Sequence, residues 1–391
     1  MKLTSEMIKQ KAKELGIDDI GIGNAERFKD APALLNVLNY FPDCKSVIAV
    51  VMRIPRGSYR GIEEGTHWHN YTFYSYNRLN TLFRPQLSNK LACFIEDHGW
   101  EAVLHYPAVA ERQQHDPPVE PGRYPPNISA SVRILAAGCG VGEIGYSKVF
   151  LNKKFGPRLR IGIILTDAVL DPDPILDTGT ICMHCGACVR ECPGNAVPPL
   201  KDKNARIYIK FPEKTVWYGD VQMGRCALTH HGMNNRISPF LKKEFPNMAF
   251  DVESSDMTEE EAYRLSYTVA QGSWGSKFSN NWGNSDLVEY YRYVLRHTGY
   301  YAVCGARGCI RACMDSLEKA RRIENTFKNP FYRKQSWLLS NKPEKVVKGI
   351  NPWREKYLDE KYPGIRTNEY NGYVSPAEAA SAADNNSVKN D

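Results

Sequence analysis

The sequence predicts a mixed α+β fold built from a layered α/β part and a cysteine-rich part. Helix-like and strand-like apolar patterns alternate over residues 4–165. The segment Asp-Pro-Asp-Pro at 171–174 then makes a rigid connection, because two prolines restrict the backbone there. Seven of the 11 cysteines follow it in two tight clusters. This change in composition predicts two structural parts in one chain.

Residues 4–15 predict an amphipathic helix at the N-terminus. Apolar residues recur on one face around Ile8, either Thr4 or Ser5 can cap the first turn, and Gly16 ends the helix.

Further helices and strands follow in alternation. Helices are expected at residues 87–98 and 132–137, separated by a proline-rich loop at 117–126. Strands are expected at four short apolar runs, at residues 20–22, 47–51, 102–104 and 161–165.

The expected domain boundaries follow from these patterns. An α/β domain is predicted over residues 1–175, and a cysteine-rich domain with a helical insertion over residues 176–330. Residues 331–391 are expected to wrap around the rest and to end in a disordered tail beyond Tyr370, because that stretch has few large apolar residues.

Charge and hydropathy exclude some classes of protein. The chain has 391 residues with 51 Lys+Arg and 44 Asp+Glu, and its basic residues are scattered, which permits nucleic-acid binding without indicating it. No run approaches the roughly 20 apolar residues of a membrane helix. The N-terminus has neither a signal-peptide core nor a twin-arginine pair. We therefore expect a cytoplasmic protein with no membrane partner.

The first cysteine cluster has the spacing C-x2-C-x2-C-x3-C-P. This is the bacterial ferredoxin spacing, in which three thiolates hold one 4Fe–4S cluster and the fourth reaches a second cluster. A structural zinc site is the alternative, but zinc sites usually pair two C-x2-C arms across a longer spacer. The motif consists of Cys182, Cys185, Cys188 and Cys192, followed by Pro193.

Two such clusters need eight thiolates, and the rest of the chain supplies the other four. Three lie in the segment CGARGCIRAC at 304–313, and one stands alone at Cys226. The other cysteines, Cys44, Cys93 and Cys139, have apolar or glycine-rich surroundings and are expected to be packed. The predicted ligand sets are Cys182, Cys185, Cys188 and Cys313 for one cluster, and Cys192, Cys226, Cys304 and Cys309 for the other.

Four motifs occur in order along the chain. They are ELGIDDIGIG near the N-terminus, FPDCKSVIAVV at 41–51, GVGEIGYSKVFLNKKFGPRLRIGIILTD at 140–167, and the first cysteine run. Together they resemble the cobalamin-dependent iron–sulfur reductases, which include the epoxyqueuosine reductases of tRNA modification and the reductive dehalogenases. The resemblance extends to about Cys313.

The resemblance implies a nitroreductase-like domain that binds cobalamin as a base-off corrinoid, followed by a ferredoxin-like domain with two 4Fe–4S clusters. The cofactor would carry the organic chemistry, and the protein would supply orientation, a dry pocket and a proton donor. Glycines would let the backbone come close to the corrin. The residues implied to approach it are Gly140, Gly142, Gly145, Phe155, Gly156, Pro157 and Arg158.

The sequence also departs from the pattern of these families. Epoxyqueuosine reductases carry an acidic residue before the glycine-rich run, whereas residues 124–135 contain no carboxylate. Most of their C-terminal helical extension is also expected to be missing. The second cysteine cluster reads C-x4-C-x3-C followed by Met314, instead of C-x2-C-x3-C-P.

The resemblance implies two candidate catalytic acids. Reductive dehalogenases use a tyrosine supported by a basic residue, and Tyr124 beside Arg123 is the nearest match in this sequence. A neighbouring cation would stabilise the phenolate left after proton donation. Asp116, in the same loop region, is the alternative acid.

Two aromatic segments, at 67–77 and 274–282, either wall a pocket for an apolar substrate or belong to the core. Four histidines lack a plausible set of metal-binding partners and are expected to be structural or exposed to solvent. They are His67, His69, His230 and His231.

The sequence thus predicts a cobalamin- and 4Fe–4S-dependent reductase that removes a leaving group from a small organic substrate. Its electrons would come from an external low-potential donor, ferredoxin or flavodoxin. Two alternatives stay open. One is an epoxyqueuosine reductase acting on tRNA, which a basic groove and salt-dependent binding would support. The other is a non-catalytic electron-transfer protein that reduces a partner's corrinoid.

Overall fold

The structure is a computed structural model that describes residues 3–39, 41–64, 68–105, 117–125, 130–232, 258–262, 302 and 304–331. Residues 1–335 belong to one compact unit. Residues 336–391 belong to a second unit, which lies outside the described residues.

The main α-helices and strands of this part of the chain follow, and residues 259–262 are also helical. The helices are α1 (Ser5–Glu14), α2 (Arg60–Glu64), α3 (Trp68–Tyr71), α4 (Arg84–Glu96), α5 (Val132–Gly138), α6 (Ala187–Arg190), α7 (Met223–His230) and α8 (Cys309–Lys319). The strands are β1 (Asp19–Asn24), β2 (Ser46–Arg53), β3 (Ala102–His105), β4 (Glu143–Ile144), β5 (Phe150–Leu151), β6 (Leu159–Thr166), β7 (Arg206–Lys210) and β8 (Thr215–Gly219).

Strands β1, β2, β6 and β3 form one antiparallel sheet in that order. β2 is buried at every residue except Arg53, because strands flank it and helices cover it. Its sequence is therefore a continuous apolar run instead of an alternating one. The register pairs Val47 with Leu165 and Val50 with Gly162.

Helices cover both faces of this sheet. Side chains alternate along a strand, so Ile161 and Ile163 pack into one core with α5, whereas Gly162 faces Ser88 of α4. The sheet is therefore the middle of three layers. The mixed helix-and-sheet class is confirmed, and the nitroreductase-like and ferredoxin-like domain arrangement stays a prediction.

The elements predicted for this part are confirmed. Helix α1 begins after Thr4, whose side chain accepts a hydrogen bond from the Met7 N–H at 3.3 Å. Helix α4 begins at Arg84, three residues before the predicted start, with Pro85 in its first turn, where a missing N–H costs little. The sequence analysis missed the hairpins β4–β5 and β7–β8.

The cysteine-rich part shares a core with the layered part. Tyr146 and Leu151 pack with Ile181, Val197 and Leu317. The hairpin β7–β8 attaches at the same place, because the Gly219 N–H donates to the Tyr146 carbonyl at 2.9 Å. The predicted boundary near residue 175 stays a prediction.

Within the described ranges, every helix is too short or too polar to cross a lipid bilayer.

Candidate functional site

The first cysteine run curls around a pocket. Its backbone adopts left-handed conformations at His184 (φ 47°) and Gly186 (φ 72°), which lets three of its thiols face the same space. Helix α8 contributes a fourth thiol. The pocket is small and partly open to solvent. Its cysteines are Cys182, Cys185, Cys188 and Cys313.

These four thiols, called here the outer group, influence one another electrostatically. Burial, together with the neighbouring Cys182 and Cys185, raises the pKa of Cys188 to about 11. Burial also raises the pKa of Cys313 well above its usual range, and Cys182 and Cys188 are the next causes.

The other four predicted ligands form a second set of neighbours, called here the inner group. Burial raises the pKa of Cys304 well above its usual range, followed in effect by the thiols of Cys309, Cys192 and Cys226. The pKa of Cys309 is raised by burial, then by Cys226 and Cys192. Interactions also cross between the groups, because Cys188 affects the pKa of Cys309 and Cys309 affects that of Cys313. The division into two ligand sets stays a prediction. The role of these thiols as cluster ligands is taken up as a proposal below.

The donor chemistry of both groups fits iron–sulfur clusters. Buried neighbouring thiols resist ionisation, so a set of four thiolates needs strong positive charge among them, which cluster irons supply. Within the described residues, no three His, Cys, Asp or Glu side chains lie close enough to hold a single metal ion.

Glu143 fixes the loop that carries the first cysteine. Its Oε2 accepts hydrogen bonds from the N–H groups of Gly179 at 2.9 Å and Thr180 at 3.2 Å. Its Oε1 accepts from Ile181 at 2.8 Å and from Cys182. Burial raises the pKa of Glu143, and these four N–H groups oppose the rise. One buried carboxylate thus holds the backbone that leads into the outer group.

Two glycines allow the close packing around the inner group. A Cβ at Gly308 would lie 2.9 Å from the Cys304 Sγ and 3.1 Å from the ring of Pro193. A Cβ at Gly305 would collide with the hydroxyl of Tyr71. The two cysteine runs therefore meet where only backbone fits between them.

At the glycines predicted to approach a corrin, other parts of the chain occupy the space where a Cβ would stand. A Cβ on Gly140 would collide with the Pro174 carbonyl, and one on Gly142 would collide with the Leu151 carbonyl. Gly145 lies against the Leu151 side chain and also lines the outer-group pocket. These glycines pack protein against protein, and their role toward a corrin stays a prediction.

The segment Phe155, Gly156, Pro157 and Arg158 is buried. Arg158 donates to the Ile54 carbonyl at 2.9 Å and to the Asn325 Oδ1 at 2.5 Å. Gly156 has φ 58° and faces the Leu317 side chain. The segment joins the sheet to α8 and the loop after it, and its predicted contact with a corrin is likewise untested.

The two predicted acids differ in what is described of them. Tyr124 is 47% exposed, and the neighbouring Arg123 donates its Nε to Glu120 at 2.7 Å. Asp116 lies outside the described residues. The predicted support of Tyr124 by Arg123 therefore competes with the ion pair between Arg123 and Glu120 at the surface.

The sequence analysis did not single out a group of aromatic side chains around an arginine beside the inner group. The Arg160 guanidinium lies 4.1 Å from the ring centre of Tyr76, which lies 5.0 Å from that of His230 and 5.8 Å from that of Tyr71. We call this group the tyrosine–arginine recess, and its members are Tyr59, Tyr71, Tyr76, Arg160 and His230.

The recess is polar and largely buried. Among the described residues, the Tyr59 hydroxyl and the Arg160 Nη2 have no hydrogen-bond partner, whereas Tyr76 and His230 are half-buried. His230 lies one turn after Cys226 on α7. Burial raises the pKa of Tyr76, Arg160 lowers it, and Cys304 and Cys226 raise it. The recess therefore adjoins the inner group directly.

The remaining predictions about aromatic and histidine residues have mixed outcomes. The first aromatic segment reaches the recess through Tyr71 and Tyr76, whereas residues 274–282 lie outside the described part. His231 is buried, as a structural histidine would be. His67 and the side chain of His69 are not among the described positions.

Comparison with known proteins gives the following relatives. No family model matches the chain. Tetrachloroethene reductive dehalogenases of Desulfitobacterium hafniense and Dehalobacter restrictus are 37% identical over 70 residues, which is 17% of this chain and 13% of theirs. The resemblance seen in the motifs is confirmed. The match spans only about an eighth of the length of those relatives.

Solved structures of both enzyme groups are also similar. A catabolic reductive dehalogenase has a TM-score of 0.39 and 16% identity, over 72% of this chain and 37% of that one. Epoxyqueuosine reductase from Bacillus subtilis has a TM-score of 0.38 and 15% identity, over 91% of this chain and 92% of that one.

Proposed function

We propose that the chain is an iron–sulfur reductase that holds two 4Fe–4S clusters and delivers electrons to a reaction centre at the tyrosine–arginine recess. The observation that supports the proposal is that the cysteines of the two runs, together with Cys226, lie near one another in the fold. A protein that stores thiols for structure alone has no need to gather them in this way.

The arrangement of the groups supports a path for electrons. The outer group includes the exposed Cys185, whereas Cys304 of the inner group is buried and lies with Cys226 near Tyr76 of the recess. Helix α8 links them, because Cys309 and Cys313 lie one turn apart on it. Electrons that arrive at the surface would therefore pass through the outer and inner clusters before they reach the recess.

The recess also offers groups for proton delivery. We place Tyr76 as the acid and Arg160 as the cation that stabilises its phenolate, since the guanidinium lies over the ring at 4.1 Å. The electrons and the proton would together replace a leaving group, such as halide or an epoxide oxygen, on a small organic substrate.

The family resemblance implies a corrinoid as the electron acceptor. The contacts of Gly140 and Gly142 do not fit close approach of a macrocycle, because protein carbonyls fill the space above both residues. The recess offers polar groups instead, since the Tyr59 hydroxyl and Arg160 Nη2 have no hydrogen-bond partner among the described residues. Bound beside the inner group, a corrinoid would supply a metal centre able to pass two electrons to a substrate.

Metal analysis of the anaerobically reconstituted protein tests the proposal. We expect about eight irons with matching sulfide per chain, the content of two 4Fe–4S clusters. Uptake of one base-off cobalamin per chain, followed by absorption spectroscopy, is the second expected result. Bound zinc in place of iron, or an iron content near four, contradicts the two-cluster assignment.

The packing of Gly140 and Gly142 against protein carbonyls supports a second candidate function. If the protein binds eight irons but takes up no corrinoid, it is an electron-transfer protein that reduces a partner's cofactor. The same reconstitution separates the two functions, because both need the clusters and only the first needs the corrinoid.

A further inference from the structure

We propose that the surface around Cys185 is the docking site of an acidic protein that carries one electron. This inference rests on the proposed function, because it assumes a cluster at the outer group. It adds where the donor binds and which chemical character the donor has. We call this surface the Cys185 face, and it comprises Cys185, Arg190, Lys201, Lys203 and Arg206.

The first observation is exposure. All eight predicted ligands are described, and Cys185 alone among them is exposed. Electron transfer between proteins needs a short path through the interface. A cluster bound through Cys185 would therefore come nearest to a partner at this face.

The second observation is a stacked platform beside Cys185. The His184 ring stacks on Trp217 at 4.8 Å with an interplanar angle of 18°, and the Arg206 guanidinium lies 4.1 Å from the centre of the Trp217 ring. Tyr146 meets both rings edge-on. Such packing makes the face rigid and partly apolar at its centre, which favours a protein partner.

The third observation is the charge around the platform. Arg190 donates to the Cys185 carbonyl at 3.1 Å, and Leu200 lies 3.2 Å from a Cβ built on Gly186, which brings the exposed Lys201 and Lys203 to the same side. Residues 185–206 contain four basic and two acidic side chains.

The charges of the face are available to a partner. Among the described residues, no ion pair involves Arg190, Lys201 or Lys203. Asp202 instead accepts hydrogen bonds from the N–H groups of Asn204 and Ala205. A basic rim around an electron-accepting centre selects an acidic donor by charge complementarity.

The step itself is a single electron transfer. The reduced carrier loses one electron and is oxidised, the outer cluster gains that electron and is reduced, and no bond forms or breaks. Two such encounters supply the two electrons of the proposed reaction.

Stopped-flow reduction of the reconstituted full-length protein tests the face. The probe is a reduced, acidic plant-type [2Fe–2S] ferredoxin, whose potential near −400 mV suits the purpose. The test variant is Arg190→Glu/Lys201→Glu/Lys203→Glu. The control Lys13→Glu/Lys29→Glu/Lys90→Glu reverses the same number of charges at exposed positions of the layered part.

We expect the test variant to be reduced at least about 10-fold more slowly than wild type at low ionic strength, since electrostatic steering changes association rates by about 10–1,000-fold. The difference should shrink in about 0.5 M salt, where the screening length is only a few ångströms. The control should stay within about 3-fold of wild type. Photoreduced deazaflavin, which is small and uncharged, should reduce all three proteins at equal rates.

Two results overturn the docking site. One is an unchanged ferredoxin rate in the test variant, and the other is an equal loss in the control. Competition by tRNA that disappears in the test variant would instead identify the face as a nucleic-acid contact. If deazaflavin fails to reduce the wild-type protein, the clusters themselves are absent and the proposed function fails with the docking site.

Discussion

The outer and inner cysteine groups contain the same number of thiols but lie in opposite surroundings. The outer group lines a partly open pocket, includes an exposed cysteine and depends on the Glu143 carboxylate for its loop. In the inner group Cys304 is buried, and it lies with Cys226 near Tyr76 of the recess. Under the proposed function this difference gives electron transfer a direction, from a donor at the exposed Cys185 to the recess beside Cys304 and Cys226.

The largest expected effect comes from removal of an inner thiol. Cys309→Ser should lower the iron content from about eight to about four and abolish turnover, because one ligand set is broken. Ferredoxin should still reduce the remaining outer cluster. Iron analysis and electron paramagnetic resonance check both points. Cys93→Ser, an exposed cysteine outside both groups, is the control and should keep full iron. If Cys309→Ser still reduced substrate, the proposed order of electron transfer from the outer to the inner cluster would be wrong.

The next effect concerns the proton donor beside the inner group. Tyr76→Phe should lower the rate of substrate reduction by about 100-fold or more, the usual contribution of a general acid. Cluster reduction by ferredoxin should not change. Tyr124→Phe, at an exposed tyrosine, serves as the comparison and should leave the rate intact. The opposite outcome would restore Tyr124 as the acid.

A smaller effect is expected at the loop of the outer group. Glu143→Gln replaces a carboxylate that accepts four hydrogen bonds by an amide, and should lower the free energy of unfolding by roughly 2–4 kcal/mol. Urea unfolding measures this change. The resonance signal and potential of the outer cluster should shift, while those of the inner cluster stay constant.

Glu213→Gln is the matched control for that substitution. Glu213 pairs with Arg27 at 2.8 Å, but its side chain is 51% exposed, so its loss should cost less than about 1 kcal/mol. Equal losses in the two variants, or equal shifts in both clusters, would remove the special role of Glu143.

The smallest effect is a pH dependence from the recess. Burial lowers the pKa of His230 well below its usual 6.5, and the positive charges of His231 and Arg160 add to this. Only the unfolded state then binds the proton just below pH 6.5, so stability is complete above that pH and falls as the pH decreases. The slope is at most about 1.4 kcal/mol per pH unit.

Urea unfolding between pH 5 and 7.5 measures this slope. His230→Gln should flatten the curve, because the glutamine does not titrate. His98→Gln, at the end of α4 in the layered part, should leave the slope unchanged. A curve that keeps its full slope in His230→Gln would assign the acid sensitivity to another group.

The local patterns of the sequence were sufficient for the layered part. Continuous apolar runs marked β2 and β6, and Thr4 marked the start of α1, because burial and capping leave their signature in adjacent residues. The spacing of the first cysteine run likewise indicated thiols that share one centre. The hairpin β7–β8 was missed because its strands are only half-buried and carry charge.

The recess could not be predicted in this way. Tyr76 lies on a π-helical segment and Arg160 on β6, and neither position has a local pattern that names the other. Part of the signal is present in the sequence, since the aromatic segment at 67–77 indicates a possible pocket wall. The aromatic segment does not itself contain the cation. Arg160 comes next to it only when β6 packs there in the fold.

The sequence by itself determined which residue types are present, where the helices and strands of the layered part form, and that eight thiols suffice for two clusters. Tertiary structure alone decided that one group faces outward with Cys185 and that the other lies against Tyr76 and Arg160. The physical reason is the distance along the chain over which each interaction acts. Helix caps, periodicity and ligand spacing act over a few residues, whereas burial and electrostatic contact depend on how distant segments pack together.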